Sequence, residues 1–510
     1  MKKKSLLLRI SVPVLTLASL AGCTGLQNSN TIVVWVGSES VAYYRELAKK
    51  FESEHADFGY KISIIGADTG GAAGQMVADN GACGDIVTIA HDNIGKLSQA
   101  SYIAPIVDDG TGKELVDQIN ADNPEGFKTV IKNILGEDTK YTYTFGVPYI
   151  SQALFLYYDT RFVKEEEAES FEGLLQAAKR YDSEHSVKNT KSYAVTGNDG
   201  YNFSFSVLAR NLDKGNVSSL RLYENGDGRT SKEVRYDSYM QANEQVAILK
   251  YMQRNVADPN GGLLKSDSGW ATNIEQHKAL SLIGGAWHYN SFKAAVTDKD
   301  TGEVHMGCKI IPTFTLTAAD VQGIEATKYS NDEYLPAELR GKDDPAPVAG
   351  TKFRGGSFVD CKCFVINMAK MTGAEKYYKM CTLLKYFSSK QAQNESFLKA
   401  LNVPAYAGAE QYIEEVKSQI DKTAYLMASS QTGMSVYGIP QPFTSGTLNT
   451  FYYSKSAPDY YFNAIMDEKK EYTTVESIRK LLYRMEYIWK HGASPSNIPT
   501  TLPNETSNTH

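Results

Sequence analysis

Trp287 follows Gly284-Gly285-Ala286 and precedes His288 and Tyr289, outside any helical periodicity. A large aromatic set on a glycine pair is displayed rather than packed, and its face offers a stacking platform. The 33 tyrosines offer the same combination of ring and polar tip, though most tyrosines serve core edges; Tyr149 and Tyr201 are the ones expected to face a ligand. Glu39 sits among Ser38 and Ser40, where it is either a binding carboxylate or part of a helix cap. Covalent and metal chemistry find less support. No His-Glu-x-x-His or Gly-x-Ser-x-Gly occurs, and the glycine-rich run at 69–74 lacks the Gly-Lys-Ser/Thr that a nucleotide site needs. Cys361 and Cys363 alternate, so on a strand they face one side, but they are too few and badly spaced for zinc. With Cys83, Cys308 and Cys381 they read as small buried hydrophobes, one disulfide remaining open. No spacing of carboxylates singles out a glycosidase pair. No catalytic residue, metal or cofactor is expected.

The elements that would position these residues alternate in type. Thr31–Gly37 is a near-continuous apolar run, as in a buried parallel strand. Residues 40–54 carry Tyr43, Tyr44, Leu47, Ala48 and Phe51 at helical spacing. A strand at 60–65, a helix at 70–78 and a strand at 85–90 follow. This βαβαβ series predicts an open parallel sheet, whose ligands sit at the strand carboxyl ends, here the loops 37–40 and 91–95. A strand at 145–158 leads to a second α/β set: helices at 171–181 and 241–255, strands at 278–284, 306–312 and 358–367, and a helix at 374–388. Trp35 reads as core. Residues 318–353, rich in Pro, Gly and charge, read as a surface loop or insertion, and 494–510 as a frayed tail.

The chain has 510 residues and net charge −6, too long for one small core and suited to two lobes. Lys2, Lys3 and Lys4 precede a short, interrupted apolar stretch to Leu20, the order of a secretory signal. Leu20-Ala21-Gly22-Cys23 resembles the bacterial lipobox, in which Cys23 is diacylated after cleavage; the alternative is an ordinary signal with a chance cysteine. Acyl chains partition at about 0.8 kcal/mol per buried methylene, so two chains hold a soluble domain at a membrane. Removing 1–22 takes four cations and no acid. The acidic balance argues against nucleic-acid binding.

The ordered set of motifs resembles extracellular solute-binding protein family 1, the maltose-binding-protein-like receptors of ABC importers. Its patches are Trp35, Lys49-Lys50-Phe51-Glu52, Gly84-Asp85-Ile86-Val87 and Ala90-His91-Asp92, then Gly146-Val147-Pro148, Gln152-Ala153-Leu154, Gly285-Ala286-Trp287 and Ser357-Phe358. The resemblance implies an α/β, two-lobed periplasmic-binding-protein-like fold (class II type) with a hinge and interlobe cleft. It divides the chain into a signal (1–22), a lipidated tether (23–30), lobe 1 (31–150 plus 358–420), lobe 2 (151–357 plus 421–492) and a tail (493–510). Carried over residue by residue, it implies ligand contacts at Glu39, Asp92, Gln152, Asp199, Tyr201 and Trp287. The family's arginine is Asn93 here, its tryptophan is Ile89, and Gln152 replaces a glutamate, which argues against maltose itself. The implied function is a monomeric, lipid-anchored receptor on the outer face of the cell membrane. It captures a small-molecule ligand, a carbohydrate, and delivers it to permease subunits without catalysis. The competing readings are a surface lipoprotein that tethers glycans, and a secreted glycoside hydrolase.

Overall fold

The computed structural model describes residues 30–136, 138–185, 192–197, 201–208, 211–212, 242–256, 262–266, 269–329, 340–357, 359–432, 457–467 and 470–491. Ten strands form one hydrogen-bonded sheet: β1 (Thr31–Gly37), β2 (Lys61–Ala67), β3 (Ile86–Ala90), β4 (Ile103–Ala104), β5 (Val147–Asp159), β6 (Val195–Gly197), β7 (Leu264–Ser266), β8 (Ser281–Gly285), β9 (Met306–Lys309) and β10 (Val359–Asn367). The order is β7-β6-β8-β5-β10-β3-β1-β2, with β9 also paired to β5 and β4 to β10. β1 follows the apolar run of the sequence residue for residue.

β5 runs through both halves of this sheet. All 13 of its residues are buried, as expected of a strand covered on both faces. Its first half pairs antiparallel with β10, from Val147 opposite Phe364 to Ala153 opposite Val359. Its second half pairs antiparallel with β8 from Leu154 onward, and with β9. The register slips opposite Pro148, between Lys362 and Cys363, where proline has no N–H to give the ladder. Side chains of the second half alternate between two cores: Phe155 and Tyr157 enter the larger one, Leu154, Leu156 and Tyr158 the other. This is the period-2 geometry of a strand.

Helices cover both faces: α1 (Val41–Glu54), α2 (Phe171–Glu184), α3 (Tyr201–Leu208), α4 (Asn243–Val256), α5 (Trp270–Glu275), α6 (Tyr289–Ala295), α7 (Ala374–Phe387), α8 (Lys422–Thr432), α9 (Ala457–Met466) and α10 (Val475–His491). α1 buries the stripe Tyr43, Tyr44, Leu47, Ala48 and Phe51; burial of each large apolar side chain contributes roughly 1.5–3 kcal/mol. The larger core holds α1 and α7, and continues past the middle of β5 to Trp270, Tyr289, Phe292 and Met427. The second core is built from α2, α4, α9 and α10. α8 is tied to α6 by Asp421, which accepts from the Tyr289 hydroxyl at 2.5 Å and from Lys293 at 2.9 Å.

Two expectations change. Residues 318–353 are not wholly a surface loop: Ala318–Val321 is helical, Asp320 pairs with Arg254 at 2.9 Å, and buried Phe353 lies in a strand, Lys352–Arg354, between Thr313–Thr315 and Asn211–Leu212. The elements are too short for periodicity to reveal. Trp35 is only partly buried against the larger core, next to Gly84. The five cysteines Cys83, Cys308, Cys361, Cys363 and Cys381 are free and buried, with Cys361 and Cys363 sulfurs 3.5 Å apart on one face of β10. The tail at 494–510 and Trp489's side chain lie outside the described residues.

Candidate functional site: two rows of strand ends

Strand direction fixes where the candidate residues meet. β1, β2 and β3 are mutually parallel, and β10 runs against both β3 and β5, so β5 points the same way as β1–β3. β8 is antiparallel to β5 and parallel to β6, which is parallel to β7. The carboxyl ends of β1 and β3 therefore point toward the carboxyl ends of β6, β7 and β8, across the middle of β5. Register and strand spacing put Ala90 and Gly285 roughly 20 Å apart. That gap suits a ligand rather than direct contact between the two ends.

On the first side, β1 ends at Gly37 and turns through Ser38–Ser40. The Glu39 side chain is exposed and folds back over Gly37, whose missing Cβ leaves the space. Ser40 forms no side-chain cap on α1; its buried hydroxyl accepts from Asn402 at 2.9 Å. The capping alternative thus has no bond to rest on. β3 ends at Ala90 and turns through His91–Asn93. Asn93 donates to Asp92 at 2.6 Å, holding that carboxylate in place. His91 is buried, with Nδ1 3.8 Å from Asp360 Oδ2. Gln152 lies on β5 directly opposite Asp360 on β10 and is buried.

On the second side, β8 ends in two glycines and turns through Ala286–His288. The six-membered ring of Trp287 lies over Gly285, where a side chain would collide with it, and Trp287 is 44% exposed. His288 packs on Gly284 and accepts from the Gly285 N–H at 3.2 Å. Burial pulls the His288 imidazole down to about 4, so it is neutral and able to keep accepting. Trp270, at the start of α5, meets His288 edge-to-face at 5.2 Å. A neutral ring clamp therefore holds the displayed indole.

A family model described as bacterial extracellular solute-binding protein matches residues 46–428. The chain belongs to that family. This solute-binding protein shares its fold with a maltodextrin-binding protein from L. casei BL23 solved without ligand (16% identity, TM-score 0.53, covering 89% of this chain and 100% of that one). It is also similar to the maltose-binding periplasmic protein of Listeria monocytogenes in complex with maltose (16%, TM-score 0.55, 90% and 97%) and to a chain solved with acarbose (18%, TM-score 0.56, 89% and 98%). No curated protein matches it in sequence. At such identities the likeness concerns the fold: mixed α/β, in two lobes.

Of the residues expected from sequence, Glu39, Asp92 and Gln152 lie on the first side and Trp287 on the second. Tyr201 opens α3 after the carboxyl end of β6; its side chain, Asp199 and Cys23 lie outside the described residues. Tyr149 is corrected: it is buried and stacked on Phe364 at 4.1 Å, so it supports the floor rather than facing a ligand. Tyr289 is likewise spent on Asp421. Sequence reading missed Asp360 and could not place Trp270. A carboxylate inside the apolar run VDCKCFVIN was the available signal for the former, and a tryptophan directly after Gly269 at a helix start for the latter. Among the described residues no group of three His, Cys, Asp or Glu is arranged to hold a metal, and no helix is long and apolar enough to cross a membrane.

Proposed function

We propose that this solute-binding protein captures a carbohydrate between its lobes and passes it to the permease of an ABC importer, anchored on the outer face of the membrane through diacylated Cys23. The lobes are taken as 31–150 plus 358–420 and 151–357 plus 421–492. The observation that carries the reading is the convergence of two rows of strand ends, one bearing Glu39, Asp92 and Gln152, the other Trp287. A flat indole opposite acceptors and an amide suits a sugar, which has an apolar ring face and a hydroxylated rim. A maltose complex, an acarbose complex and a maltodextrin-binding protein among the similar structures point to the same ligand class. The remaining contacts are assigned to Asp199 and Tyr201.

A ligand touching both lobes stabilises the closed state by its differential affinity. Calorimetry of the purified protein against a panel of oligosaccharides is expected to give reversible binding without release of reducing ends. Turnover of the bound sugar favours a hydrolase; affinity for polymer alone, with uptake unchanged in a deletion strain, favours a glycan tether. Metabolic labelling with a fatty-acid analogue is expected to mark the wild type and not Cys23→Ala.

A further inference from the structure

Asp360 is only 7% exposed, yet its Oδ1 has no hydrogen-bond partner among the described residues. A buried carboxylate oxygen left in this condition costs free energy unless something supplies the missing donor. Its other oxygen faces His91, and its cross-strand neighbour is the buried Gln152. Cross-strand side chains start ~5 Å apart. The pair thus places an acceptor beside a group that both donates and accepts, one residue from where β5 exchanges β10 for β8.

We infer that Asp360 is a specificity-determining ligand contact: with Gln152 it forms the floor of the cleft and receives the hydroxyls of a vicinal diol on a sugar ring, the Asp360 oxygen accepting from one and the Gln152 amide engaging the other. This rests on the carbohydrate reading above and names the group recognised. The charged neighbours of Asp360 are His91 and Asp92 on the turn after β3 and Lys362 on its own strand; β5 contributes only the neutral Gln152, and the Cys361 thiol beside it is held protonated by burial. Burial pushes the Asp360 carboxyl up to about 6, His91 and Lys362 drawing it down and Asp92 adding to the rise. A hydroxyl donated to the ionised form favours that form, so affinity is present above pH 6 and declines as the pH falls through it.

The test is calorimetry with maltotriose, cellobiose and xylobiose at pH 7.5, 6.0 and 4.5, carrying forward whichever binds most tightly. Wild type is expected to lose roughly tenfold in affinity between pH 7.5 and 4.5. Asp360→Asn is expected to be weaker by about the same factor at pH 7.5 and to lose the pH step, while melting no lower than wild type because a buried charge is gone. Unchanged affinity in Asp360→Asn, with Trp287→Ala impaired, overturns the role of Asp360 and leaves the cleft standing. Failure of every sugar to bind wild type overturns the carbohydrate reading and this inference together. The wild-type pH profile needs no variant to fold, and a flat one also overturns the inference.

Discussion

Trp287 owes its display to the residue two positions before it. With hydrogen alone on the Gly285 α-carbon, the indole lies flat over the backbone; a methyl group there would lift it. Gly285→Ala is therefore expected to weaken sugar binding by roughly as much as Trp287→Ala, about ten- to a hundredfold for loss of a stacked ring and its buried area, with little change in melting temperature. Equal affinities for wild type and Gly285→Ala in calorimetry would refute this. His288 supplies a pH test of the same loop. Its pKa is about 4 in the fold against about 6.5 when unfolded. The unfolded chain thus binds the extra proton first, and stability falls as the pH drops from 6.5 toward 4, by about 3 kcal/mol when complete. Asp360, raised from 3.8 to about 6, acts oppositely: its ionised form is the costly one, so this group adds stability as the pH falls from 6 toward 4. Thermal melts between pH 7 and 4.5 are expected to show a smaller acid loss in His288→Gln and a larger one in Asp360→Asn than in wild type. Trp287 was legible because a glycine pair before an aromatic has few other uses. Asp360 was not, because its meaning depends on Gln152, more than two hundred positions earlier in the chain.

At the scale of elements, β5 completes both halves of the sheet, so the cost of damaging it depends on which core a side chain enters. Leu156 is fully buried in the second core, and Leu156→Ala is expected to cost about 2–5 kcal/mol, read as a fall in denaturation midpoint. Where β5 changes partners, the Leu154 N–H is satisfied by the Ser357 hydroxyl at 2.7 Å rather than by a strand. Ser357→Ala leaves that donor without its acceptor and is expected to cost about 1–3 kcal/mol, with altered ligand affinity because the exchange point lies between the lobes. Denaturation showing no loss would refute it. β1, β2, β3, β5, β8, β9 and β10 and α1, α2, α4 and α7 were legible from apolar runs and periodicity, whereas β4, β6 and β7, of two or three residues, were not. The hairpin of Lys132–Leu135 with Asp138–Thr144 and the three-stranded sheet containing Phe353 were not. Their strands mix charged and aromatic residues over spans too short to alternate visibly, and their partners are set by tertiary contact.

For the whole molecule, the expectation is closure. At a ligand concentration 100 times the dissociation constant, binding adds about 2.7 kcal/mol of stability, and X-ray scattering is expected to show a smaller radius of gyration on sugar addition; an unchanged radius alongside proven binding would count against two moving lobes. The two-lobed plan was readable from length and from the recurrence of βα units, but not the convergence of strand ends, which follows from the antiparallel placing of β8 on β5. The uninterrupted burial of β5 also bears on how such a protein can be divided. A cut between Ala153 and Leu154 would place β10 on a different fragment from β3 and the first half of β5, and leave all three with rows of bare amides and carbonyls, the kind of border on which foreign strands dock. Neither half is a separable module, and fragments expressed apart are expected to aggregate unless they find each other.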